Sequence, residues 1–519
     1  MRRSLLVLCL TGCVVPEPPL TLGELPSPSA SSGTVAPAPL RRLTRAQYHQ
    51  AVVDLFAPLG LSESPAWRFP GEETAGPFLT RVRTPITSLE VDVAIVAAEE
   101  VAAKVAPSAE RLFGCACPRE GLERLAAKAW RRPLTDDERA GLGALFEAGG
   151  VELAVTGILS SASFLAVVER GRPDDPAKLT GHEVATRLAL LLAGGLPDDA
   201  LTAAAEEGRL DTADGIAAET WRLLKEPRAR TQLAAFHQQW LGLGGLQSLE
   251  KDPTRYPLFG AEARTAMRDE LESFVDAVVR RSDGRLETLF SAPFAFVRAP
   301  LHRVYGVSEP TPGASVGLDP SERAGILTHP AFLATHASPR LSSPTHRGLA
   351  ILRNVLCIEP GEPPPGVTIA PTGAAKPGAL SRREMIEQHS ANPSCRGCHQ
   401  RLDPFGLAFE HYDAIGVWRE KDLDDGSVID ASAEVVLGDE ALDGPTKDAV
   451  ELSKRLGRSQ VVLRCAARQW YRFAFGRLET DADAPELAQL EARIIETKGS
   501  VPDLIVALTT SDAFRSRAP

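Results

Sequence analysis

The sequence predicts a mainly α-helical protein made of several consecutive helical subdomains, with a small irregular segment and at most a short β hairpin. Helix-start signals recur along the 519 residues, and helical periodicity covers residues 261–281 and 485–497. A weak strand-like alternation is confined to Val428–Leu437. At roughly 100–200 residues per domain, the length allows about three to five units.

The helix-start signals are capping boxes, in which Ser or Thr precedes Gln or Glu by three residues. Each side chain can then accept a hydrogen bond from a backbone N–H group of the first turn. The pairs are Thr44 with Gln47, Thr135 with Glu138, Thr180 with Glu183 and Ser381 with Glu384. The helix that begins after Thr135 is expected to stop at Gly149-Gly150.

The charge pattern argues against a nucleic-acid partner. The net charge is -11 and there is no block of Lys or Arg. Phosphate binding requires clustered cations. The acidity therefore indicates solubility rather than a particular ligand.

The N-terminus predicts an exported lipoprotein. Arg2 and Arg3 precede a short apolar run, which leads to Leu10-Thr11-Gly12-Cys13. The run is shorter than the roughly 20 residues that span a membrane, and we find no later stretch long and apolar enough to do so. It resembles a bacterial lipobox signal, in which residues 1–12 are removed and Cys13 is lipidated. With Val14 after the cysteine, that resemblance implies the outer membrane, with a membrane contact through the lipid only.

Six further cysteines remain if Cys9 leaves with the signal and Cys13 carries lipid. An oxidising compartment favours disulfides. A bond between Cys115 and Cys117, two residues apart, is expected to be strained. Cys357 with Cys465 is a reasonable pairing that the sequence leaves open.

Cys395-Arg396-Gly397-Cys398-His399 is the strongest chemical signal in the chain. C-x-x-C-H is the attachment pattern of a c-type haem, in which two thiols add to the porphyrin vinyl groups. His399 then lies beneath the iron as its proximal ligand. Its other ring nitrogen is expected to donate to a nearby backbone carbonyl or to the Asp403 side chain. The motif predicts one covalent haem c per chain.

Two other interpretations of the motif stay open. Cys395 and Cys398 could form a disulfide, or they could bind zinc with His399 and one more histidine. The sixth iron ligand is also open. The candidates are Met385, His389 and His336, and a five-coordinate iron would favour catalysis on a small oxidant.

Five segments of the sequence carry a family resemblance. They contain Arg42-Leu43-Thr44-Arg45, then Arg131-Arg132-Pro133, then Leu196-Pro197-Asp198-Asp199, then Arg347-Gly348 with the C-x-x-C-H motif and Asp403-Pro404, and finally Tyr471 with Gly476-Arg477. The chain resembles exported proteins of planctomycetes and myxobacteria that are built from domains of unknown function (DUF1587, DUF1595, DUF1592, DUF1588 and DUF1585). These proteins are often fused to cytochrome c modules, although this chain lacks the extra N-terminal module that many of them carry.

The predicted signal peptide, residues 1–12, is followed by a flexible Pro/Ser-rich tether, residues 13–39. The resemblance divides the rest of the chain into five domains. The expected domains are 40–105, 118–172, 177–306, 322–425 with the C-x-x-C-H motif, and 445–517. The predicted function is electron transfer at the cell envelope by a lipid-anchored monohaem protein, with a redox protein as partner. The alternatives are a haem-dependent oxidative enzyme acting on an external substrate and a haem-free surface or polysaccharide-associated module with a Cys395–Cys398 disulfide.

Overall fold

The computed structural model describes residues 40–82, 85–311, 313–361, 382–391, 393–424 and 426–517. It is mainly α-helical with short two-stranded sheets, which confirms the predicted fold class. The predicted signal peptide, the tether and Cys13 lie outside the described residues, as does Ser381 of the fourth capping box.

The N-terminal part holds six helices among the described residues. They are α1 (Arg45–Leu55), α2 (Ser88–Val105), α3 (Ala109–Phe113), α4 (Pro118–Trp130), α5 (Asp136–Ser160) and α6 (Ala162–Leu165). Strand β1 (Arg41–Arg42) pairs antiparallel with β4 (Ala166–Val167), and β2 (Glu73–Ala75) pairs with β3 (Phe78–Thr80). The capping boxes predicted at Thr44 and Thr135 are both formed.

The helix that begins after Thr135 ends at Gly149-Gly150, as predicted, and α5 consists of two helices joined at this break. Gly149 and Gly150 leave helical geometry, with φ of -153° and 65°, and the second helix then runs to Ser160. By length and composition α5 could cross a membrane, contrary to the sequence expectation. The break leaves two helices, each shorter than the roughly 20 residues needed. Ala154, Val155 and Ile158 of the second half are buried in the protein core.

The middle of the chain is a helical array that begins after the capping box predicted at Thr180, which is also formed. Its helices are α7 (Gly181–Leu192), α8 (Asp199–Glu206), α9 (Ala213–Lys225), α10 (Pro227–Trp240), α11 (Ala261–Arg281), α12 (Leu286–Ser291) and α13 (Leu301–Tyr305). The periodicity over residues 261–281 therefore predicted α11 correctly. Strand β5 (Phe294–Ala295) pairs with β6 (Val316–Gly317).

The C-terminal part contains the C-x-x-C-H motif. Its helices are α14 (Pro330–Thr335), α15 (Pro344–Ala350), α16 (Arg382–Ser390), α17 (Pro393–Leu407), α18 (Ala449–Leu456), α19 (Gln460–Phe475), α20 (Ala484–Glu496), α21 (Val501–Thr510) and α22 (Asp512–Arg515). Strand β7 (Ala433–Val435) falls within the predicted strand region and pairs with β8 (Gly444–Thr446). A π-helical turn, Ile351–Val355, follows α15.

Two hydrophobic cores hold the described residues together. The first draws on residues from Leu43 to Val167, with Leu190 and Leu196, and the second on residues from Leu179 to Phe514, with Phe78. The first two predicted domains thus share one core and the last three share the other. The Thr80 hydroxyl donates to the Gly476 carbonyl (2.7 Å) across the boundary, so the two cores are linked by hydrogen bonds as well as by packing.

Candidate functional site

Helix α17 presents the C-x-x-C-H motif on one face. Cys398 and His399 follow Cys395 by three and four residues, which places the three side chains together on an α-helix. Helix α17 lies against α15 with almost no space between the backbones. A Cβ atom built on Gly406 would lie 1.9 Å from the Pro344 carbonyl oxygen, and one on Gly348 would lie 2.2 Å from that of Leu402. Only glycine fits at these two positions, so the two glycines determine how closely α17 packs against α15.

Both motif thiols are unpaired. Cys395 is buried, Cys398 is half-buried, and both are free cysteines. The Cys398 thiol donates to the carbonyl oxygen of Pro360 (Sγ···O 2.9 Å). The structure therefore gives no support to the interpretation of this motif as a disulfide.

Two disulfides lie elsewhere. Cys357 pairs with Cys465 across 108 residues, with Cα atoms 5.4 Å apart, which is the pairing that the sequence suggested. Cys115 also pairs with Cys117, two residues away, with Cα atoms 5.2 Å apart. This separation lies within the range that disulfides span. The Cys357–Cys465 bond ties the segment that leads to Pro360 to helix α19.

His399 is oriented by a carboxylate. Its Nδ1 lies 2.9 Å from Oδ1 of Asp403, one helical turn further along α17. A carboxylate only accepts, so Nδ1 must carry the proton and Nε2 is the nitrogen left for a ligand. The Asp403 side chain is thus confirmed as the predicted partner. The hydroxyl of Ser390, at the end of α16, donates to the second Asp403 oxygen.

The three candidates for a sixth ligand lie in different surroundings. The ring of His389 packs edge-on against that of His399, with centroids 4.6 Å apart. Met385 is half-buried one turn earlier on α16. His336 is a core residue whose Nε2 lies 2.7 Å from the Leu241 carbonyl oxygen, and burial lowers its pKa to about 4. Of the three, His389 is the one that the structure places in contact with His399.

The sequence did not reveal the role of Arg347, which supports the segment following α17. Its side chain is fully buried, and its guanidinium donates to four carbonyl oxygens. They belong to Leu333, Phe409, Tyr412 and Asp413, at 2.7 to 3.2 Å. Three of these lie within five residues of one another, so one arginine fixes the turn after the motif helix. The sequence placed Arg347 in the family motif, but it did not predict the four carbonyl groups that Arg347 contacts.

The donor set fits a covalently attached haem. Two free thiols and an imidazole with Nε2 available stand on one helix face, and the imidazole is held by a buried carboxylate, as is usual for metal-binding histidines. Within the described ranges, no three or more His, Cys, Asp or Glu residues are grouped to hold a metal ion. The four-ligand zinc site that the sequence left open therefore finds no support there.

Five family profiles match the chain in succession. They are proteins of unknown function DUF1587 at residues 41–107, DUF1595 at 117–169, DUF1592 at 179–307, DUF1588 at 323–422 and DUF1585 at 444–514. The profile over the motif helix bears the short name PSCyt3, which marks its family as cytochrome-associated. No curated protein and no solved structure matches the chain.

These matches define a multidomain protein built from domains of unknown function, one of which belongs to a family with a cytochrome-associated name. The chain belongs to the group of proteins built from these five domains of unknown function, which confirms the resemblance found in its motifs.

Proposed function

We propose that this protein is a monohaem c-type cytochrome-like protein that transfers electrons at the cell envelope. Cys395 and Cys398 hold the porphyrin, and His399 is the proximal iron ligand. The observation that supports this most directly is the His399–Asp403 hydrogen bond, because it leaves Nε2 available beside two free thiols. The partner is a second redox protein, since the motif occurs once in the chain.

The chemistry divides between cofactor and chain. A bound haem supplies a one-electron couple. The chain attaches it through two thiols, orients the imidazole through Asp403, and keeps Cys395 out of water on a helix whose position Gly348 and Gly406 fix.

Covalent attachment can be tested on a denaturing gel stained for haem peroxidase activity. The full chain expressed with a cytochrome c maturation system should give a stained band, and Cys398→Ala should lose the stain. A matched control is the double variant Cys115→Ser/Cys117→Ser, which removes two cysteines outside the motif and should keep the stain. An unstained band from matured, folded wild-type protein would refute the proposal.

The axial ligation can be tested by visible spectroscopy. If His389 is a second histidine ligand of the iron, the ferric wild-type protein should be low-spin, and His389→Ala should become high-spin. The control is Met385→Ala, one turn earlier on the same helix, which should leave the spectrum unchanged. A high-spin wild-type spectrum that neither variant alters would mean an open iron site, and would favour the oxidative enzyme over electron transfer.

We also propose that lipid on Cys13 anchors the protein to the outer membrane. The support is the order of Arg2-Arg3, the apolar run and Leu10-Thr11-Gly12-Cys13. Cys13→Ser should move the protein from the membrane fraction to the soluble extracytoplasmic fraction without altering haem staining. A variant that stays with the membrane would contradict the lipid anchor.

A further inference from the structure

The carboxylate of Asp403 accepts hydrogen bonds from His399 and Ser390. Asp403 is 7% exposed, and its two oxygens accept from His399 Nδ1 and from the Ser390 hydroxyl. No lysine or arginine of the described segments forms an ion pair with it, and its contact with His399 is a hydrogen bond. A buried negative charge without a cationic neighbour acts strongly on the group it contacts, because little water screens it.

The same contacts join the two helices of the site. Ser390 is the last residue of α16, which carries Met385 and His389, whereas Asp403 and His399 lie on α17. The hydrogen bonds therefore run from the end of one helix through the carboxylate to the imidazole on the other. A shift of α16 would change how Asp403 is held, and through it the orientation of His399.

We propose that Asp403 is a positioning residue that lowers the reduction potential of the bound haem through His399, and that Ser390 holds the carboxylate in place. The inference rests on the haem attachment proposed above. An anionic acceptor on Nδ1 makes the imidazole a more basic ligand, which favours ferric over ferrous iron. A purely structural carboxylate would affect stability but not the potential.

The test is a redox titration of the matured protein, followed by visible absorbance. Asp403→Asn keeps the shape and a hydrogen-bond acceptor but removes the charge. We expect its midpoint potential to rise by the equivalent of at least a tenfold change in the equilibrium between oxidised and reduced haem, about 59 mV for one electron. Asp403→Glu should return the potential toward the wild-type value, and Ser390→Ala should raise it by less than Asp403→Asn.

The matched control is Asp430→Asn. Asp430 is an exposed aspartate whose Oδ2 lies 3.3 Å from Nε of Arg383, a residue of the helix α16 that also carries Ser390. The variant therefore removes one negative charge near the site without changing a contact of His399. Its potential should stay at the wild-type value. If Asp403→Asn and Ser390→Ala keep both the haem stain and the wild-type potential, the inference is wrong and the proposed function stands. If wild-type protein takes up no haem, the proposed function fails, and this inference fails with it. If Asp403→Asn takes up no haem, the potential of Ser390→Ala tests the inference by itself: a raised potential supports it, and the wild-type potential contradicts it.

Discussion

Replacing Arg347 by methionine is expected to lower the free energy of unfolding by about 4 kcal/mol or more. The guanidinium is fully buried and donates to the carbonyls of Leu333, Phe409, Tyr412 and Asp413. Methionine fills much of the space but donates nothing, so four buried carbonyl oxygens each lose one hydrogen bond. Urea denaturation, followed by helical circular dichroism, measures the change.

Arg340→Met is the matched control for this substitution. Arg340 lies seven residues earlier, its side chain is 59% exposed, and it pairs with the Asp252 carboxylate. Exposed ion pairs contribute roughly 0–1 kcal/mol, so the control should shift the unfolding free energy by no more than that. Equal losses in the two variants would mean that Arg347 does not hold the turn after α17.

Removing the Cys357–Cys465 disulfide with two serines is expected to lower the free energy of unfolding by about 4–5 kcal/mol. The bond closes a loop of 108 residues, and the entropy that a cross-link removes from the unfolded chain grows with loop length. The same bond ties the segment before Pro360, whose carbonyl accepts the Cys398 thiol, to helix α19. Denaturation of the double variant beside the oxidised wild-type protein measures the effect.

The second disulfide provides the comparison. Cys115 and Cys117 are two residues apart, so the loop they close is among the shortest a disulfide can make. The Cys115→Ser/Cys117→Ser variant should therefore lose under about 2 kcal/mol. If the two double variants lose the same free energy, the loop-length account of the longer bond is contradicted.

Local signals in the sequence predicted much of the helical framework. The capping boxes at Thr44, Thr135 and Thr180 are formed as expected, because each depends only on residues three apart. Helix α5 shows the limit of such signals. Gly149-Gly150 correctly predicted the end of the first helix, but not that a second helix follows at once and packs into the first core. The other short strand pairs were not foreseen, since pairs of two or three residues leave no alternation to detect.

The sequence predicted those contacts of the candidate site that join residues of the same helix. The motif and the carboxylate of Asp403 lie within nine residues, so spacing on one helix was enough to suggest their contact. Ser390 and Arg347 act across helices. The Arg347 contacts depend on the close approach of α15 and α17, which Gly348 and Gly406 allow, and the Ser390 contact depends on the packing of α16 against α17. The spacing of residues along the chain cannot predict which helices pack against each other.

The most direct test of the central claim is to locate the haem in the matured protein by proteolysis and mass spectrometry. We expect one haem per chain, on the peptide that contains Cys395, Cys398 and His399, bound through both thiols. A preparation that has passed through a competent maturation system, yet yields this peptide with two unmodified thiols or with haem on another peptide, would contradict it.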